Sequence, residues 1–111
     1  MILFMPRAAT TSDTFNAIAE PRRRDILDYL AARERSVGEI VIALNLPQPS
    51  VSKHLQVLLS VDLVTVRRDG RRTLYRTNAE TLRTIHDWAG MFARHWRSQL
   101  RRIKAHAEDK A

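Results

Sequence analysis

The chain has 111 residues, with 19 Lys and Arg against 12 Asp and Glu and a sequence pI near 11.0. That length suits one domain, and the charge favours a polyanionic partner, nucleic acid or an acidic membrane surface. It contains no cysteine, which excludes disulfides and thiolate metal sites, and no apolar run approaches the roughly 18 residues of a membrane span.

The opening "MILFM" is too short an apolar run, and lacks the cleavage pattern, to be read as a signal peptide. Residues 1–12 are expected to form an arm, and a cytoplasmic protein is the default. Residues 13–108 read as one domain. In "TSDTFNAIAE", Phe15, Ile18 and Ala19 fall at 3–4 spacing and predict a short helix. "EPRRRDILDYLAA" predicts a second. Pro21 fits its first position, where a missing N–H costs nothing, and Ile26, Leu27 and Leu30 make its buried stripe. "SVGEIVIAL" has Ser36 and, three residues on, Glu39, the pattern of a capping box. Ile40, Ala43 and Leu44 are its expected inward face, and Asn45 the turn after it, since asparagine tolerates a left-handed backbone.

"LNLPQPSVSKHLQVL" then starts another helix. Pro47 and Pro49 fall in its first turn, where proline is tolerated. Val51, Leu55 and Leu58 share one face, which should anchor the helix. At about 100° per residue, Pro49, Ser52, Lys53 and Gln56 point the other way. Gln48 and Ser50 add to the polar groups of these first turns.

"LVTVRRDGRRTLYRT" alternates around "RDGR", and Asp69-Gly70 is a hairpin turn signal. Arg67, Arg68, Arg71 and Arg72 crowd its tip. Like charges on opposed strands repel, so a merely solvated tip explains them poorly. From Asn78, read as a cap, one long helix is expected to about residue 107. Leu82, Ile85, Ala89, Phe92, Trp96, Leu100 and Ile103 repeat along it at spacings of 3 and 4, widened by Trp88 and Met91. This stripe exceeds what a small core needs for cover, so it predicts a homodimer through the last helix, with Phe15 and Ile18 of the first helix packed beside it.

The order helix, helix, helix–turn–helix, basic hairpin, long helix is that of a winged helix–turn–helix: mainly α, with one two-stranded β-hairpin as the wing. Residues 13–100, about four-fifths of the chain, resemble the ArsR/SmtB family of dimeric bacterial transcriptional repressors. The likeness lies in "FNAIAEPRRRDILDYL", "SVGEIVIALNLPQPSVSKHLQVLLSVDLV" and "VRRDGRRTLYRT", and is most specific in "QPSVSKHL". It implies a sequence-specific DNA-binding regulator, a repressor of an inverted-repeat operator. The helix after the turn would be the reading helix, its fixed start held in a major groove. Gln48, Ser50, Ser52 and Gln56 would then meet base edges or phosphates, Lys53 phosphate or guanine, and Arg67, Arg68, Arg71 and Arg72 the DNA beside them. On their own, the helix residues are the solvent face of an amphipathic helix; beside the arginine hairpin they point to DNA.

Two positions depart from the family pattern. Pro47 stands where Ser or Thr usually caps the reading helix, and Asp62 where glycine usually follows it. Both bear on the geometry between helix and wing. Many members of the family release DNA on binding metal. The positions corresponding to one such site's two cysteines hold Ser36 and Gly38, which bind no soft metal. In the last helix His86 and Asp87 are adjacent, His95 follows nine residues after His86, and His106 lies near the tail; no pair has the spacing of side-by-side ligands. No resident metal or cofactor is expected, and the inducer stays unassigned. His54, on the flank of the reading helix, is expected to pack or bond locally. No nucleophile in an activating context, phosphate-cradling loop or convergent carboxylate pair suggests an enzyme. Asp25 and Asp28, beside three arginines, read as ion-pair partners. The alternatives are a winged helix used for protein interaction, against which the arginine density argues, and a non-specific DNA binder, against which the polar reading face argues.

Overall fold

A computed structural model describes residues 11–109; the expected arm, but for its last two residues, lies outside them. The elements run α1 (Thr11–Ile18), α2 (Pro21–Ala32), β1 (Arg35–Ser36), α3 (Val37–Leu44), α4 (Gln48–Ser60), β2 (Val64–Asp69), β3 (Arg72–Thr77), α5 (Ala79–Gly90) and α6 (Ala93–Asp109). The fold is a winged helix–turn–helix, in which α3 and α4 form the helix–turn–helix and β2–β3 the wing.

Local chemistry accounts for most boundaries. Pro21 opens α2, and the Glu20 carboxylate accepts from the Arg22 amide at 2.9 Å. The Ser36–Glu39 capping box closes in both directions: Ser36 Oγ accepts from the Glu39 amide at 3.3 Å, and Glu39 Oε1 from the Ser36 amide at 3.2 Å. Asn45 ends α3 in the left-handed conformation, at φ 52°. Pro47 stands at the N-cap of α4 with no side-chain cap bond, as its missing oxygen requires. Asp62 has φ 61°. Around it the Leu63 amide donates to Leu58 O at 2.9 Å and the Asp62 amide to Leu59 O at 3.1 Å, which is a Schellman ending with aspartate in glycine's place.

The core lies where α2, α3 and α4 meet the root of the wing. Ile26, Leu30, Ile40, Val51, Leu55, Leu58 and Leu63 are fully buried there, each side chain contributing about 1.5–3 kcal/mol of apolar transfer. Val64 joins them from the first residue of the wing. Thr77 Oγ1, at the wing's other end, donates to Leu27 O at 2.7 Å and ties the sheet to α2.

Several expectations are corrected. The sheet has three antiparallel strands in the order β1-β3-β2, not two. Arg35 and Ser36 pair with Tyr75 and Leu74, and two residues are too few for an alternating pattern to reveal. The wing's loop is Gly70-Arg71, because Asp69 still pairs with Arg72. Gly70 has φ 61°, whereas Arg71 is not among the positive-φ residues; a tight turn with only its first central residue at positive φ takes glycine there. The arginines do not oppose one another across the hairpin: Arg67 faces Leu74, Arg68 faces Thr73 and Arg72 faces Asp69. Ala43 is exposed rather than inward, and Val41 is packed against the core in its place. Asn78 holds the N-cap position of α5 but caps no backbone amide; its Nδ2 donates to Asp62 O and Thr81 Oγ1 at 3.0 and 3.1 Å.

The single helix expected over about 78–107 is two. The Met91 amide is shared between Asp87 O and Trp88 O, and the Phe92 amide falls back to Ala89 O at 3.1 Å. The ladder tightens just after Gly90, a poor helix former, and restarts when the Trp96 amide donates to Phe92 O at 2.9 Å.

Candidate nucleic-acid interface

Val51, Leu55 and Leu58 bury one side of α4, so the helix is held from behind. Gln48, Pro49, Lys53 and Gln56 are exposed, while Ser50 and Ser52 are half-buried on its shoulders. The polar side chains expected to read DNA thus lie on the outer part of α4, with the two hydroxyls closest to the body.

His54 is half-buried on the flank of α4, and its Nδ1 is buried without a hydrogen-bond partner among the described residues. Burial holds its pKa below the usual 6.5, Arg23 adds to the effect, Glu20 opposes it, and Arg22 and Lys53 contribute further lowering. The imidazole therefore favours its neutral form.

The four arginines nearest the wing's turn fall into two kinds. Arg67 Nε lies 2.8 Å from both carboxylate oxygens of Glu34, and its Nη2 lies 2.7 Å from Oε2. Arg72 Nη2 donates to Glu39 Oε1 at 2.8 Å. Both carboxyl groups are held below their ordinary range: Glu34 chiefly by the Arg67 hydrogen bond, and Glu39 chiefly by the Ser36 amide, with Arg72 assisting. Arg68 and Arg71, nearest the turn, are exposed, and neither has an ion pair among the described residues.

Sequence reasoning missed Glu34, and it saw Glu39 only as a capping residue. The signal available was slight, two carboxylates in the otherwise basic and polar "ARERSVGE". Beneath these pairs lies Leu74, only 6% exposed on a sheet face otherwise turned outward. An open cleft of about 410 Å³ surrounds it, walled by Arg33, Glu34, Arg67, Arg72 and Arg76.

On the side chains expected at a dimer seam, Phe15 and Ile18 are half-buried, as are Leu82 and Ile85. Ile18 and Leu82 pack against this chain's own core, so they serve the monomer too. Ala89, Phe92, Trp96, Leu100 and Ile103 are exposed, the last three at 66%, 60% and 64%. Phe15, Trp88 and Phe92 form an edge-to-face aromatic chain. A shallow apolar cavity of about 350 Å³ is lined by Trp88, Ala89, Phe92 and Trp96.

Among the described residues, no group of three or more His, Cys, Asp and Glu side chains is placed to hold a metal ion. His86 Nδ1 lies 3.3 Å from Asp87 Oδ1, both side chains largely exposed. No helix among the described residues is long and apolar enough to cross a membrane.

Residues 20–66, from the cap of α2 into the wing, match the family described as bacterial regulatory protein, arsR family. The chain is 32% identical over 77 residues to the transcriptional repressor SdpR of Bacillus subtilis, covering 69% of this chain and 86% of that protein. It is 44% identical over 64 residues to the transcriptional repressor SmtB of Mycobacterium tuberculosis, covering 58% of this chain and about half of that one, 47%. Among solved structures, it is similar to a homodimeric winged helix–turn–helix DNA-binding domain from Mycobacterium bovis, with a TM-score of 0.62 and 33% identity over 74% of this chain and 79% of that one. With such a helix–turn–helix, wing and exposed apolar terminal helix, the chain belongs to the arsR family of bacterial regulatory proteins, the winged helix–turn–helix transcriptional regulators.

Proposed function

We propose that this regulator binds an inverted-repeat operator as a homodimer and represses transcription there. α4 lies in the major groove, with Gln48, Ser50, Ser52, Lys53 and Gln56 on bases and phosphates, and the wing that carries Arg67, Arg68, Arg71 and Arg72 lies against the flanking DNA. The observation that carries this reading is the exposed polar side of α4, backed by a buried stripe, next to a wing whose tip presents two arginines without an ion pair among the described residues. Such a rigid polar helix beside a cationic ribbon suits base reading together with phosphate anchoring.

The partner copy covers the apolar side of α5 and α6, with Phe15 at its margin. Two recognition helices related by a two-fold axis demand two half-sites about 34 Å, or a multiple of it, apart. The reading is of a binding protein working on DNA in the cytoplasm, not of a catalyst. No resident metal or cofactor enters it.

Titrating an operator duplex, recovered from DNA the protein retains, and a scrambled duplex of equal length at about 0.2 M salt tests it. A specific repressor prefers the operator by at least about a thousandfold. Equal affinity for both would make the protein a non-specific DNA binder, and affinity for neither would make the winged helix a protein-interaction module.

A further inference from the structure

We propose that Glu34 and Glu39 are positioning residues for DNA binding. They hold Arg67 and Arg72 against the body of the domain, and so aim the wing and leave Arg68 and Arg71 as its phosphate-contacting pair. This rests on the DNA-binding reading above and refines it.

Geometry carries the inference. Each strand of the hairpin is held by one carboxylate. Arg67 of β2 is forked onto Glu34, in the link between α2 and β1, with three N–O distances between 2.7 and 2.8 Å. Such a planar two-point pairing fixes orientation as well as distance. Arg72 of β3 is held by Glu39, whose carboxylate also accepts from the amide and hydroxyl of Ser36 and lies 3.6 Å from Arg35 Nη1. Glu39 thus joins the N-terminus of α3, the first helix of the helix–turn–helix, directly to the wing.

The two pairs flank Leu74, and the cleft over it is walled by Arg67, Arg72 and Arg76. The hydrocarbon stems of arginine cover apolar surface while their heads bond at the rim. Arg35, on the sheet's other face, places its guanidinium 4.4 Å from the centre of the Tyr29 ring and anchors β1 to α2. A two-stranded ribbon is weakly fixed by itself; these contacts set its angle to α4. A guanidinium held by a carboxylate, forked for Arg67 and through one contact for Arg72, has less to gain from a phosphate than Arg68 and Arg71 next to the turn.

Simple electrostatics predicts the opposite of positioning, which makes the inference testable. If Glu34 and Glu39 only repel DNA, removing their charges tightens binding. If they aim the wing, removing their charges loosens it. The double variant Glu34→Gln/Glu39→Gln should bind operator about tenfold more weakly, from lost preorganisation, with a salt dependence no flatter than wild type. Affinity that is unchanged or tighter overturns the proposal.

Arg67→Met and Arg72→Met keep most of the apolar stem and remove the head. Each should weaken binding and leave the slope of log affinity against log salt unchanged, whereas Arg68→Ala and Arg71→Ala should each flatten that slope by about 0.9. Circular dichroism of every variant confirms that the fold is kept. Flattening by about 0.9 in the Arg67 or Arg72 variant would place those heads on phosphate and overturn the division of labour. No flattening in the Arg68 and Arg71 variants would instead remove the wing from the DNA surface, a failure of the broader reading and not of the brace alone.

Discussion

The Phe15 ring of α1 stands edge-on to the Trp88 indole of α5, with centroids 5.1 Å apart and planes at 76°. Trp88 meets Phe92 in the same way at 5.2 Å. Edge-to-face pairs of this kind add about 0.5–1.5 kcal/mol beyond burial. In one chain Trp88 and Phe92 remain about half exposed, and in the proposed dimer a second copy would complete their burial. Truncating a buried aromatic costs about 3–5 kcal/mol. Phe92→Ala with Trp96→Ala should therefore give monomers or unfolded chains, as read by light scattering at micromolar concentration. A wild type that is monomeric there would refute the seam.

Base reading predicts a change of preference and not only of strength. Ser52→Ala and Gln56→Ala should alter which operator sequence is selected, each with a discrimination of about 1–3 kcal/mol at the affected base pair. Selection from a randomised duplex pool is the measurement. An unchanged consensus in both variants would restrict those side chains to phosphate contacts.

His54 ties stability to pH. Its neutral form is favoured in the fold, first by burial and then by Arg23, so its folded pKa lies below the unfolded 6.5. Between the two values the unfolded chain binds more protons, and stability rises with pH. The contribution is fully present above 6.5 and is lost as pH falls from there through the folded pKa. Glu20, Glu34 and Glu39, whose pKa values are lowered from 4.5, lose theirs only at lower pH. Urea midpoints measured from pH 7.5 to 5 should thus fall in wild type and fall less in His54→Gln. Parallel curves for the two proteins would remove His54 from the account.

Metals should leave the operator complex alone. Ser36 and Gly38 offer no thiolate, and His86, Asp87 and His95 lie on exposed helix surface and form no group of three ligands among the described residues. A ligand shifts an equilibrium only by its difference in affinity between two states. Micromolar zinc, cadmium or arsenite should change operator affinity by less than about twofold, below the coupling typical of an effector. Fluorescence anisotropy with metal and then chelator measures this. A reversible, stoichiometric release by any one of the three would point to a site shared across the dimer.

What was legible in the sequence is what short-range chemistry decides. The Ser36–Glu39 box, Pro21 at the start of α2, the left-handed Asn45 and the buried stripe of Val51, Leu55 and Leu58 all depend on residues a few positions apart. What escaped depends on partners brought together by the fold. Arg67 and Glu34 are 33 residues apart, as are Arg72 and Glu39, and β1 exists only because β3 lies beside it. The break after Gly90 escaped for a different reason. An apolar repeat of 3 and 4 runs unbroken through it, so the stripe conceals a change in the backbone beneath. Nor does a pattern of types show that two of four neighbouring arginines are already engaged.

The junction at Asn78 has a mechanical consequence. Its side chain holds Asp62 O at 3.0 Å, and its amide donates to Leu63 O at 2.8 Å. The end of α4 is thereby clasped to the start of α5, with the whole wing looped out between them. α5 is a rigid arm about 18 Å long at 1.5 Å per residue. If the two copies met at its far end, a tilt of about 10° there would translate into about 3 Å at the clasp by this length alone. In the proposed dimer the crossing angle of the paired terminal helices would then set the gauge between the two copies of α4, and a signal that turned the one would put the other out of step with the pitch of DNA.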